Sequence, residues 1–291
     1  MKDVITAGVD GTPESLSAIL WAAEEARLRR ARLRLLHAWV LLAPEPASHP
    51  EAGQEQNYWA HRMMNDAATA VRTRVPDLPV DESLVARDPL EALQEAAEES
   101  DLLVLGCRDL GPVARYALGE TGLQLVAHTT SPTVLVRARQ APGASGGHGE
   151  VMVALSLHEP CEALLAFAFE SAARREVALR AVHGRHLPSY AYNRGGGVEP
   201  VVAEEAAQDA RQELAAALEP WQEKFPDVPV DDRVVLESPA PALLHSAGDA
   251  GLLVVGRRHR QRHRLPVPRI GHVVQAVVHH APCPVAVVPH E

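Results

Sequence analysis

Apolar and polar residues change their spacing at regular intervals along this chain. Short β-rich runs occupy residues 3–9 (DVITAGV), 32–40 and 80–85, and an apolar run at 102–105 stops at Gly106. Between these runs apolar residues recur at helical spacing. Leu16, Ile19, Leu20, Ala23 and Leu28 predict one buried helix face. Trp59, Met63, Ala67, Ala70 and Val71 predict another, in a helix over 58–75 that follows a Pro- and Glu-rich loop at 43–57. Thr12-Pro13 and Asp88-Pro89 each place a capping side chain before a proline at the first helical position, so both open helices. After Gly119, residues Leu123, Val126 and Ala127 predict a fourth helix, then a turn at Ser131-Pro132 and a Val-rich strand at 133–136. The order β-α-β-α-β-α-β-α-β implies parallel strands joined by right-handed crossovers.

The pattern then repeats. Residues 138–149, ARQAPGASGGHG, have no apolar period and read as a linker. Beyond them FAFESAARREVALRAVH (167–183) matches WAAEEARLRRARLRLLH (21–37), which sets His183 at the place of His37. FPDVPVDD (225–232) matches VPDLPVDE (75–82), and LLVVGRR (252–258) matches LLVLGCR (102–108). His280 and Pro284 match His128 and Pro132. The chain is a tandem duplication of one α/β domain, with units at 1–137 and 150–291.

Composition narrows the class. Of 291 residues 46% are apolar and 4% aromatic, with Ala, Leu and Val dominant, which suits packed α/β cores. The formal net charge of −10 argues against a protein that coats nucleic acid. Cys107, Cys161 and Cys283 are odd in number and lack metal-like spacing, so neither a disulfide framework nor a metal site is expected. MKDVITAGVDG reads as a first strand rather than a secretory segment, and no apolar run is long enough to span a bilayer. A cytoplasmic protein without membrane contact is expected.

The two copies resemble the universal stress protein family, in its tandem two-domain (actinobacterial) form. The resemblance rests on VDGTPES, LRLLHAW, LLVLGCR, HTTSPTVLV and HHAPCPVAVV, and covers nearly the whole chain outside the linker. It implies two Rossmann-like domains, each a five-stranded, mostly parallel sheet flanked by helices. It implies a stress-response regulatory protein rather than an enzyme. It also implies homodimerisation and pairing of the two domains through the last strands, 133–136 and 284–288. One subclass of the family binds ATP through a loop G-x2-G-x9-G-[ST]. Carried over to the first copy, this assigns Asp10, Ala38, Gly106, Gly119, Glu120 and Thr121 to an ATP site, with Mg²⁺. Asp109 stands at the second loop glycine and Glu120 at the Ser/Thr position. Two unit charges about 4 Å apart repel by roughly 4 kcal/mol at an effective dielectric near 20, so these carboxylates oppose a triphosphate unless Mg²⁺ bridges them. In the second copy Ser156 replaces Asp10, Leu157 replaces Gly11, and His259 and His272 fall in the loop. ATP binding in the family manner is not expected there.

Two readings therefore stay open: an adenine-nucleotide-binding regulator, and a dimeric interaction module with degenerate pockets. Other chemistry finds less support. There is no G-x-x-x-x-G-K-[ST] and no G-x-G-x-x-G after a first strand. Ser145-Gly146-Gly147 lies in the linker. His37 and His183 end matching strands and read as framework residues rather than bases. RRHRQRHRLPVPR (257–269) carries six arginines and two histidines, and reads either as an anion site or as a solvated loop. His259, His263, His279 and His280 lack a Cys or carboxylate at ligand spacing, so no metal is expected.

Overall fold

The computed structural model describes residues 2–40, 50–107, 120–138, 149–157, 161–186, 200–258 and 270–290, with backbone alone for 50–57 and 120–121. The chain divides into two compact units, Met1–Gly146 and Gly147–Glu291.

The first unit runs β1 (Val4–Gly8), α1 (Pro13–Arg29), β2 (Arg32–Ala38), α2 (Pro50–Arg74), β3 (Val80–Val85), α3 (Pro89–Glu98), β4 (Leu102–Cys107), α4 (Glu120–His128) and β5 (Thr133–Arg137). All its strand pairs are parallel, in the order β3-β2-β1-β4-β5. Helices α1 and α2 pack together on the sheet, and α3 packs with α4. Helices cover the strands, so the strand interiors are apolar: Ile5, Leu33, Leu35, Leu102, Leu103 and Val134 are fully buried.

Both anticipated helix starts are present. Thr12 accepts from the Ser15 N–H, and Asp88 accepts from the N–H groups of Leu90 and Glu91. The helix faces match the expected ones in part: Ile19, Ala23, Ala67 and Val71 are buried. On α2 the buried residues are Ala60, Met64, Ala67, Ala68 and Val71, while Trp59 is 51% exposed. On α1 the buried face is carried by Ala18, Ile19, Ala22, Ala23 and Ala26, while Leu16 is exposed. Small alanines let each helix lie close to the sheet, and the larger Ile19, Trp21 and Met64 are buried as well. Helix α2 also begins at Pro50, within the stretch expected to be loop.

The second unit repeats the plan: β6 (Glu150–Ala154), α5 (Glu162–Arg175), β7 (Leu179–Gly184), α6 (Pro200–Lys224), β8 (Val230–Val235), α7 (Pro239–Ser246), β9 (Ala250–Arg258), α8 (His272–His280) and β10 (Val285–His290). Its parallel order is β8-β7-β6-β9-β10. The repeat extends to single bonds. Leu33 N–H donates to Pro79 O at 2.9 Å, and Leu179 N–H to Pro229 O at 2.8 Å. Leu103 N–H donates to Pro132 O at 3.0 Å, and Leu253 N–H to Pro284 O at 2.9 Å. The core filling has diverged. Phe169, Trp221 and Phe225 stack on one another where the first unit buries Ala23, Val71 and Val75.

Helices α1 and α5 end alike, on Arg30 (φ 54°) and Glu176 (φ 55°), both left-handed. A side chain there costs about 1–2 kcal/mol, partly offset by the entropy that glycine loses on folding. Arg30→Gly and Glu176→Gly should each stabilise by up to about 1 kcal/mol. Urea melts of the two variants test this, and a loss of stability in either would refute the cap assignment.

Candidate functional site

In each unit the chain adds strands to one side of β1 or β6, then crosses to the other side. The strand order therefore reverses between β1 and β4, and between β6 and β9. Crossover helices leave the strand ends on opposite faces at such a point, and a crevice opens beyond the carboxyl ends.

In the first unit the turn leaving β1 is held by a closed set of bonds. Thr12 donates to Asp10 Oδ1 from its N–H at 2.9 Å and from its hydroxyl at 2.6 Å. The Ser15 N–H donates to Thr12 Oγ1 at 3.1 Å. Ser15 Oγ donates to Gly8 O at 3.0 Å and accepts from the Asp10 N–H at 3.2 Å. The Asp10 carboxylate is thereby fixed yet exposed, with both of these contacts on Oδ1. Gly11 takes φ 77°, and a Cβ there would lie 2.6 Å from Met63 Sδ.

Gly106 lies near the end of β4. A Cβ on it would sit 2.6 Å from Ser15 N and 2.7 Å from Glu14 C, both backbone atoms that cannot swing aside. This glycine lets β4 run under the first turn of α1, a packing demand that exists without any ligand. Ala38 ends β2, half-buried. The adjoining His37 donates from Nδ1 to Val9 O at 2.7 Å, and Val9 N–H donates to Leu36 O at 2.8 Å. The Trp39 ring stacks on His37 with centroids 5.5 Å apart. Asp10, Ala38 and Gly106 thus share one edge of the sheet. Glu120 and Thr121 are the first residues of α4. Gly119 and Asp109 lie outside the described residues.

The second unit keeps the backbone of this edge and changes its side chains. His183 donates from Nδ1 to Leu155 O at 2.9 Å, and Leu155 N–H donates to Val182 O at 3.0 Å. Arg185 takes the place of Trp39, and its N–H donates to Val235 O at 2.9 Å as that of Trp39 does to Val85 O at 3.1 Å. Gly184 replaces Ala38, and a Cβ there would come within 2.7 Å of Pro239 Cα. Glu213 replaces Met63 at the same place in α2 and α6, both 25 residues long. A Cβ on Gly256 would meet the His290 side chain at 2.9 Å rather than a helix backbone. The two matching glycines therefore satisfy different neighbours.

A cavity of about 670 Å³ opens at this edge. Its walls are mostly apolar, and the sequence pattern did not reveal it. The available signals were Leu157 and the Val273-Val274 pair at the start of α8. Of the basic run, Arg257 is buried, and burial pulls its guanidinium below the ordinary arginine pKa. Arg258 lines the cavity, and residues 259–269 lie outside the described residues. Among the described residues no three or more His, Cys, Asp or Glu gather as a metal site would require. No helix among them is long and apolar enough to cross a membrane.

The universal stress protein family model matches residues 1–137 and again 148–289. The chain belongs to the universal stress protein family. A universal stress protein of Mycobacterium tuberculosis is 32% identical over 290 residues, covering 97% of this chain and 96% of the relative. One from Mycolicibacterium smegmatis is 30% identical over 269 residues, covering 88% and 87%. The crystal structure of a universal stress protein from Archaeoglobus fulgidus superposes with TM-score 0.75 at 13% identity, covering all of both chains. That of a functionally unknown protein from Pseudomonas aeruginosa does so with TM-score 0.57 at 16% identity, covering 99% of this chain and 92% of the other. At such identities the two structures share the fold alone.

Gly106→Ala should destabilise the protein by about 1–3 kcal/mol, because its new methyl meets fixed backbone. Gly248→Ala, with nothing within 4 Å, should shift stability by less than about 1 kcal/mol. Equal melting midpoints for the two variants would remove the packing role assigned to Gly106.

Proposed function

We propose that this universal stress protein is a regulator that holds an adenine nucleotide at the β1/β4 crevice of its first unit, without turning it over. The bonded turn that presents Asp10 at the point of strand-order reversal carries this reading. An exposed carboxylate suits ribose hydroxyls, which donate to it. The end of β2 at Ala38 offers a backbone edge and a small side chain to the base. Gly106 and the N-terminus of α4 at Glu120 and Thr121 suit the phosphates, because helix N–H groups and the helix dipole favour anions, and the family loop would add Gly119. Mg²⁺ would offset the charge that Asp109 and Glu120 add to this loop. Regulation then follows from differential binding: a nucleotide shifts whatever equilibrium has states of unequal affinity for it.

A second reading has its own support in Asp109 and Glu120. Two carboxylates beside a triphosphate oppose binding, and the chain would then act as an interaction module. In either case we propose a homodimer formed through the Val-rich last strands. A solution mass equal to the 31.4 kDa monomer would remove that part.

Calorimetry with ATP and Mg²⁺ separates the two readings. The first expects binding that Asp10→Ala weakens by about tenfold or more, since hydrogen bonds to charged groups contribute about 1.5–3 kcal/mol. Gly119→Val should abolish binding and Gly271→Val should leave it. No binding at millimolar ATP would decide for the interaction module. Loss only on the Gly271 change would move the site to the second unit.

A further inference from the structure

The cavity of the second unit is chemically unlike the crevice of the first. Its volume, about 670 Å³, lies within the roughly 300–1,000 Å³ that holds a drug-sized ligand. Leu155, Leu157, Leu164, Val182, Leu243 and Val274 line it. Such walls suit an apolar ligand body better than the hydrated ribose of a nucleotide. Ser156 stands at the place of Asp10, so the carboxylate that suits ribose hydroxyls is gone. Leu157 stands at the place of Gly11, so a side chain replaces bare backbone.

The polar groups of the cavity also differ from those of the first unit. Arg185 and Arg258 line it, with Glu213 as the one carboxylate among the described lining residues, and Arg258 matches Arg108 of the first unit in sequence. In the first unit the Trp39 indole stacks on His37, which is 8% exposed. In the second unit an arginine replaces that indole, and the matching His183 lines the cavity. The Nδ1 of His183 is committed to Leu155 O, which leaves Nε2 as the ring's polar atom for a ligand. Ser156, His183 and Arg185 therefore contribute a hydroxyl, an imidazole and a guanidinium to the lining of a mostly apolar pocket.

We propose that this cavity binds an amphipathic anion, an apolar body carrying a single carboxylate. The carboxylate pairs with Arg185 and accepts from Ser156, while the body fills the space between α5, α7 and α8. The site is independent of the nucleotide reading of the first unit.

The cysteines supply a direct readout. Cys107 and Cys283 are buried, while Cys161 is half-buried, stands at the N-cap position of α5 without a side-chain cap bond, and lines the cavity. In the native 291-residue chain N-ethylmaleimide should therefore label Cys161 first. Laurate should slow that labelling and bind by calorimetry, whereas ATP with Mg²⁺ should not slow it. Arg185→Gln should weaken laurate by about tenfold, the loss expected for one charge-assisted hydrogen bond, and leave dodecanol unchanged. Asp10→Ala should leave laurate binding intact, so failure of the first-unit reading and failure of this one are distinguishable. Equal affinity for laurate and dodecanol, with no effect of Arg185→Gln, would overturn the anionic specificity. Protection of Cys161 by ATP but not by laurate would make the cavity a second nucleotide site and overturn the proposal. Protection by neither would overturn it as well.

Discussion

The carboxyl edge of each sheet depends on one bond made just past the end of the ladder. Beyond Gly8 and Ala154 the first strand of each unit runs out of neighbours on one side. The next carbonyl, that of Val9 or Leu155, would be left without a partner in a partly buried place. An imidazole from the adjacent strand fills the need: His37 Nδ1 at 2.7 Å and His183 Nδ1 at 2.9 Å. An unpaired buried carbonyl costs about 1–3 kcal/mol, so the pair is a strong local constraint. It fixes where β1 and β6 stop and where their loops begin. Asp10, Ser156, Ala38 and Gly184 take their positions from that edge.

On this common backbone the two units have moved apart in chemistry. The first has an exposed carboxylate held by Thr12, a left-handed glycine under Met63, and an indole over the histidine. The second has a serine, a leucine, a glutamate and an arginine at those four places, and a cavity with apolar walls. The capping has shifted too. Thr12 and Asp88 cap α1 and α3 through their side chains, whereas Cys161 and Ser238 make no such bond for α5 and α7. Duplication preserved what the sheet needs and released what the crevice contains.

Much of the fold was legible because its signals are local. Thr12-Pro13 and Asp88-Pro89 start helices through chemistry confined to four or five residues. The strand-helix alternation follows from apolar spacing, and the duplication from matched segments such as LLVLGCR and LLVVGRR. Helix orientation was less legible. Apolar spacing pointed to Ile19, Ala23, Ala67 and Val71, which are buried, and also to Trp59 and Leu16, which are exposed, because the space between helix and strand selects for volume as well as polarity. The loop expected up to residue 57 gives way to helix at Pro50, where proline is a starter rather than a breaker.

The amino-acid sequence by itself determined the element order, the parallel pairing, the duplication and the family, since each is written in residue type and spacing. Only the tertiary structure decided what individual residues meet. Gly106 and Gly256 look alike in the sequence, but one lies under the backbone of α1 and the other beside His290. Arg185 and Trp39 look unrelated, but they occupy one place beside matching histidines. The cavity of the second unit arises from residues on β6, β7, β9, β10, α5, α6, α7 and α8, brought together across the sheet edge. Spacing along a chain encodes periodicity within an element, whereas a cavity is a relation among elements, and that relation exists only once they are packed.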